Sequence, residues 1–137
     1  MANAIYPKYK EALLDALSNV DLMAGDVRVI LVDLADYTYS AAHDMLDDVA
    51  AGARVAVSGN LANKVVTNGV FDADDVTLSS VTGDPSEALI GYIHTGTEST
   101  SRLVWFQDTG VTGLPITPNG GNITIQWDSV ANKIFAL

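Results

Sequence analysis

The chain has 137 residues, seven basic against 17 acidic, for a formal charge of −10 and an isoelectric point near 4.2. Such a surface repels phosphate backbones, which argues against nucleic-acid binding, and the absence of cysteine excludes disulfides and thiolate metal sites. With 48% apolar residues and a mean hydropathy of +0.21, the chain is too hydrophobic for an acidic disordered segment. Its length suits one domain, 1–137, with a real core.

Residues 1–10 (MANAIYPKYK) carry no apolar stretch behind a basic tip, so no secretory signal is expected. The longest apolar run, residues 29–32, is far too short to span a bilayer. Only 18% of residues are charged, against about 25% in typical soluble domains. That balance fits either a β-core with a Thr/Ser/Asn surface or apolar surface held for a partner.

The first element reads as a helix over residues 7–20, with Pro7 suited to the first turn, where its missing N–H is no loss. Tyr9, Leu13, Leu17 and Val20 form an apolar stripe at helical spacing, and Gly25 marks the turn after it. The stripe is expected to dock on the home domain, with residues 1–22 as a helical arm whose other use is to reach a neighbouring subunit. Residues 27–34 (VRVILVDL) are apolar on both faces, as an interior strand requires. Ser40 then predicts a short helix over 41–49, with Ala42, Met45, Leu46 and Val49 on one side.

Strands follow one another from there. Residues 53–58 (ARVAVS) and 64–71 (KVVTNGVF) flank the turn at Gly59-Asn60, and Asn68-Gly69 predicts a type I′ turn splitting the second run. Residues 75–81 precede the turn signal Thr82-Gly83-Asp84-Pro85. Residues 87–94 (EALIGYIH) and 101–107 (SRLVWFQ) read as a hairpin around the polar loop 95–100, whereas 108–121 holds too much Gly and Pro for a central strand. Residues 122–128 (NITIQWD) alternate, with Ile123, Ile125 and Trp127 on one face, and 133–137 (KIFAL) ends the chain as an edge strand or a partner-binding tail. Turn signals about every 8–12 residues predict a mainly β fold, an antiparallel β-sandwich or jelly-roll-like barrel over 26–137, carrying the N-terminal helix and one short inserted helix.

Catalytic chemistry is hard to find in this sequence. His43 stands beside Asp44 and near Asp47, yet a zinc site wants three or four ligands, and a surface histidine on an acidic helix is the plainer reading. His94 ends a strand. Asp72, Asp74 and Asp75 lack the spacing and distal glutamate of a calcium loop, and read as solvated turn acids, as do Asp44, Asp47 and Asp48. Ser58-Gly59 lacks the upstream glycine of a nucleophile elbow, and Asn119-Gly120-Gly121 lacks the Lys-Ser/Thr of a phosphate loop. No enzyme and no cofactor is expected. Trp105 and Phe106 are consecutive, so a strand points them to opposite sides, leaving one for solvent or an interface. The candidate contact residues are therefore Tyr9, Leu13 and Leu17, Trp105 and Phe106, and Ile134, Phe135 and Leu137 in the tail.

Residues 3–14 (NAIYPKYKEALL), 51–58, 69–76, 87–93, 113–127 and 131–137 (ANKIFAL) give the chain a further character. Over essentially its whole length it resembles small virion structural proteins encoded among the head and tail genes of tailed bacteriophages. The resemblance implies a non-enzymatic capsid decoration (cement) protein, made in the host cytoplasm and located in the virion. Its partners would be copies of itself, a trimer being the expected oligomer, and the phage major capsid protein. A tail, neck, baseplate or fibre component is the neighbouring reading. A carbohydrate- or receptor-binding module using loops 95–100 and 108–121 is the reading from another class.

Overall fold

A computed structural model describes residues 3–127 and 133–137; Asp128, at the end of the strand expected over 122–128, lies outside them. The fold is mainly β, with antiparallel sheets in a sandwich-like arrangement and one α-helix near the N-terminus. The largest sheet takes its five strands in the order β1 (Ala4–Ile5), β8 (Arg102–Gln107), β7 (Ala88–His94), β2 (Asp26–Val32) and β3 (Arg54–Val57). A second sheet holds β10 (Phe135–Ala136), β5 (Val70–Asp72) and β4 (Val65–Thr67), and a two-stranded ribbon pairs β6 (Val76–Leu78) with β9 (Ile123–Ile125). Among the described residues, no helix is long and apolar enough to cross a membrane.

The β7–β2 ladder runs in unbroken register from Asp26↔His94 to Val32↔Ala88. Both strands are apolar on both faces, as sheet-interior strands with two covered faces must be. Asn68 at φ 52° and Gly69 at φ 78° form the expected two-residue turn between β4 and β5. Positive φ at both central residues lets the turn follow the right-handed strand twist. In β9 and beyond, Ile123, Ile125 and Trp127 are buried while Thr124 and Gln126 are exposed, as their alternation predicts.

Two helical expectations are corrected. Helix α1 spans Pro7–Leu14 instead of reaching residue 20. Leu17 N–H donates to the Ala12 carbonyl (3.0 Å) and Ala16 N–H to the Leu13 carbonyl (3.2 Å), with Ala16 at φ 51°, closing the helix in a Schellman motif. The early stop frees the Ser18 and Asn19 carbonyls to accept the buried Arg102 guanidinium at 3.1 and 3.3 Å. The Asn19 amide donates in turn to the Thr100 carbonyl at 2.9 Å. The predicted helix over 41–49 is absent. There, Leu103 N–H donates to the Asp44 carbonyl (3.0 Å) and Leu46 N–H to the Ser101 carbonyl (2.8 Å), so the segment pairs with the start of β8. Only Leu46–Asp48 winds, as one 3₁₀ turn. Strand pairing satisfies backbone groups of a nearly buried strand, and this outweighs a modest helical preference.

Residues 3–22 are no free arm. β1, a strand the sequence did not signal, adds to the edge of the large sheet, and Tyr6, Tyr9 and Ala12 are buried. Trp105 and Phe106 do face opposite sides of β8, but neither is left for a partner: each is 1% exposed. The Trp105 ring packs against Phe71, Phe135 and Trp127, with centroids 5.9, 5.4 and 6.3 Å away. Phe106 meets Tyr39 at 5.4 Å and Tyr37 at 6.4 Å on the other face. The loop after β2 supplies those tyrosines, and Tyr6 OH and Tyr37 OH lie 2.8 Å apart. Both faces of the large sheet are thus covered, one by the smaller sheets and one by that loop.

Candidate functional site

The tail pairs β10 with β5, and Leu137 N–H donates to the Gly69 carbonyl at 2.8 Å. That pairing carries Phe135 and Leu137 to α1 and to the segment returning from it. Tyr9 ties the two together, its hydroxyl donating to the Val20 carbonyl at 2.8 Å. Burial, with the Asp21 charge nearby, pushes the Tyr9 hydroxyl up to about 12. Asp21 Oδ1 accepts the N–H groups of Met23 (2.8 Å) and Ala24 (3.0 Å), and these bonds, Ala24 foremost, hold its carboxyl below the usual range. Gly25 completes the turn where a Cβ would stand 2.4 Å from the Asp21 carbonyl oxygen. Lys64 then donates to the Gly25 carbonyl and anchors the chain leading into β4.

Between these pieces lies an open groove of about 280 Å³. Tyr9, Leu13 and Val20 form one wall, Phe71 and Phe135 the other, and Asp21 is the one ionisable carboxylate among the described lining residues. Its rim is apolar and wet: Met23 is 50% exposed, Val66 49% and Leu137 66%. Two segments more than a hundred residues apart in the chain, each a candidate contact surface by its sequence, therefore meet in one place. Within them the candidates sort by burial. Tyr9 and Ile134 belong to the core, as do Trp105 and Phe106, and all four are corrected as contact residues; Leu13 and Phe135 are half-buried, and Leu17 and Leu137 are exposed. Val66 and Met23 were not foreseen, because an isolated valine or methionine carries no signal of exposure.

The other candidate clusters are dispersed. His43 Nδ1 lies 2.8 Å from the Tyr37 hydroxyl and joins no group of acids. Asp48 is no solvated helix face; its carboxylate accepts Asp44 N–H at 2.8 Å. Asp74 accepts the Asn63 amide at 2.6 Å and Asp75 accepts Trp127 N–H at 3.0 Å, so these acids work as turn fasteners. The carboxylates that do converge among the described residues are Asp33, Asp36 and Asp84, within 4.8 Å of one another. Asp33 is already engaged by Ala35 N–H at 2.8 Å, and the other two are exposed.

Loops 95–100 and 108–121 sit at opposite ends of β8, whose six residues separate them by about 20 Å. They share no surface, which corrects the joint binding face expected of them. The first is also internally satisfied: the Thr95 and Thr100 hydroxyls lie 2.6 Å apart, and Thr100 donates to the Thr97 carbonyl at 3.2 Å. Scanned against models of protein families the chain matches none, and no curated protein matches it.

Proposed function

We propose that this chain is a non-enzymatic structural subunit of a tailed-phage virion, a capsid decoration protein that binds the head lattice as an oligomer. The observation that carries this reading is the groove between α1 and the C-terminal tail, with its exposed apolar rim. An apolar patch of that kind beside covered core residues suits a lasting protein contact better than catalysis. The resemblance to virion proteins supplies the context, and the charge of −10 would keep free subunits apart until assembly. Protein chemistry on purified particles of the encoding phage tests it. Hundreds of copies per particle on the head are expected. A few or tens of copies would move the protein to the tail or neck, and absence from particles would sink the virion reading altogether.

The groove itself is tested in solution. Met23→Asp and Leu137→Asp alter exposed positions, so each should leave the circular dichroism spectrum unchanged. Each should weaken assembly, read by sedimentation velocity or head binding, by about tenfold or more, as loss of an apolar anchor does. Unchanged assembly in both variants would remove the groove from the interface.

A further inference from the structure

The largest cavity is a separate cleft of about 680 Å³, at the mouth between the two main sheets. β1 lines one side and β10 the other, with Lys10, Lys133 and Tyr39 among the remaining residues. In a chain with 17 acidic and seven basic residues, the described lining holds two lysines and no Asp or Glu. Most of the other cations are committed elsewhere. Lys8 pairs with Glu11, Arg28 with Asp26 and Arg54 with Glu98, while Lys64 and Arg102 donate to backbone carbonyls. Among the described residues, Lys10 makes neither an ion pair nor a hydrogen bond.

The backbone around the cleft is equally suggestive of its occupant. β1 is the edge of the large sheet and β10 the edge of the second. Tyr6 N–H donates to the Val104 carbonyl at 2.9 Å, so antiparallel alternation turns the N–H and C=O of Ile5 away from β8. By the same rule, Leu137 N–H bonds to Gly69 and Ala136 points its backbone groups outward. Both Ile5 and Ala136 line the cleft. The wall at β1 is fixed in advance: Asn3 Oδ1 accepts the N–H groups of Asp108 (2.8 Å) and Thr109 (3.1 Å), locking the start of β1 to the end of β8.

We infer that this cleft receives an extended acidic segment of another protein, which adds as a strand to the free edge of β1 and sets its carboxylates against Lys10 and Lys133. Main-chain hydrogen bonds supply the affinity in strand addition and side chains the selectivity. Distant acids of the same chain do not forbid it, since physiological salt screens exposed charges beyond about 8 Å and leaves the local lysines to set the sign. The inference stands apart from the virion reading, because neither the groove nor the phage context enters it.

The test uses the full chain and a fluorescent alternating Glu–Val peptide about eight residues long, a length that spans a short strand with room at both ends. Fluorescence anisotropy should show saturable binding, with the Lys–Val counterpart weaker by about tenfold or more. Lys10→Glu, at an exposed helix position, should cost a similar factor with the fold intact. N-methylation of alternate peptide amides should abolish binding, and the Ile5 amide should shift in NMR spectra on titration. Equal binding of the Lys–Val peptide would overturn the inference. So would indifference to N-methylation, which would mark a bare anion site, or equal competition by oligo-dT, which would mark a general polyanion surface.

Discussion

Replacing Gly91 by alanine is expected to cost about 3 kcal/mol or more of folding stability, at the upper end of overpacking substitutions. Gly91 sits in the middle of β7, paired with Val29 on one side and Trp105 on the other. A Cβ built there would lie 2.1–2.2 Å from three atoms of the Trp105 ring. The obstacle is a rigid indole, 1% exposed and hemmed in by Phe71, Phe135 and Trp127. It has nowhere to go without disturbing the packing of the second sheet. Urea unfolding followed by far-ultraviolet circular dichroism measures the loss, and a change under about 1 kcal/mol would mean that the ring yields far more easily than close packing allows.

Trp105→Ala is expected to destabilise the fold by about 3–5 kcal/mol, as deletion of a buried aromatic does. Two losses combine. The ring leaves a void at the junction of the sheets, and its Nε1–H no longer donates to Gln107 Oε1 at 2.9 Å, an acceptor on a residue only 7% exposed. An unpaired buried acceptor adds its own desolvation cost. Had Trp105 been an interface anchor, the same substitution would disrupt assembly and leave the monomer spectrum intact. Its burial reverses that expectation. The two substitutions should also couple: with the indole gone, Gly91→Ala should cost much less than in the wild-type background. Additive effects in the double variant would show that the close approach of Gly91 and Trp105 is not what makes the glycine necessary.

Local chemistry was readable where it decides the outcome by itself. The β-branched run 26–32, the Asn68-Gly69 turn and the alternating 123–127 segment each carry a signal that holds in any context. The helix expected over 41–49 failed because Asp44 and Leu46 lie against the exposed backbone of β8, a partner more than fifty residues away in the chain. β1 was invisible for the same reason: two residues have no periodicity, and only the edge of β8 makes them a strand. Trp105 and Phe106 were correctly assigned to opposite faces, but which faces are covered depends on the loop with Tyr37 and Tyr39 and on the small second sheet.

By itself, then, the sequence determined an acidic, cysteine-free, mainly β chain whose apolar runs suffice for a core, because composition and period-two patterning act locally. Only the tertiary structure decided which apolar residues remain outside. Tyr9 and Ile134 entered the core while Met23, Val66 and Leu137 were left in water, since burial is set by what packs above a side chain and not by its own hydrophobicity. The same holds for charge. Seven cations scattered along an acidic chain say nothing until folding pairs most of them and brings Lys10 and Lys133 to one cleft between two strand edges.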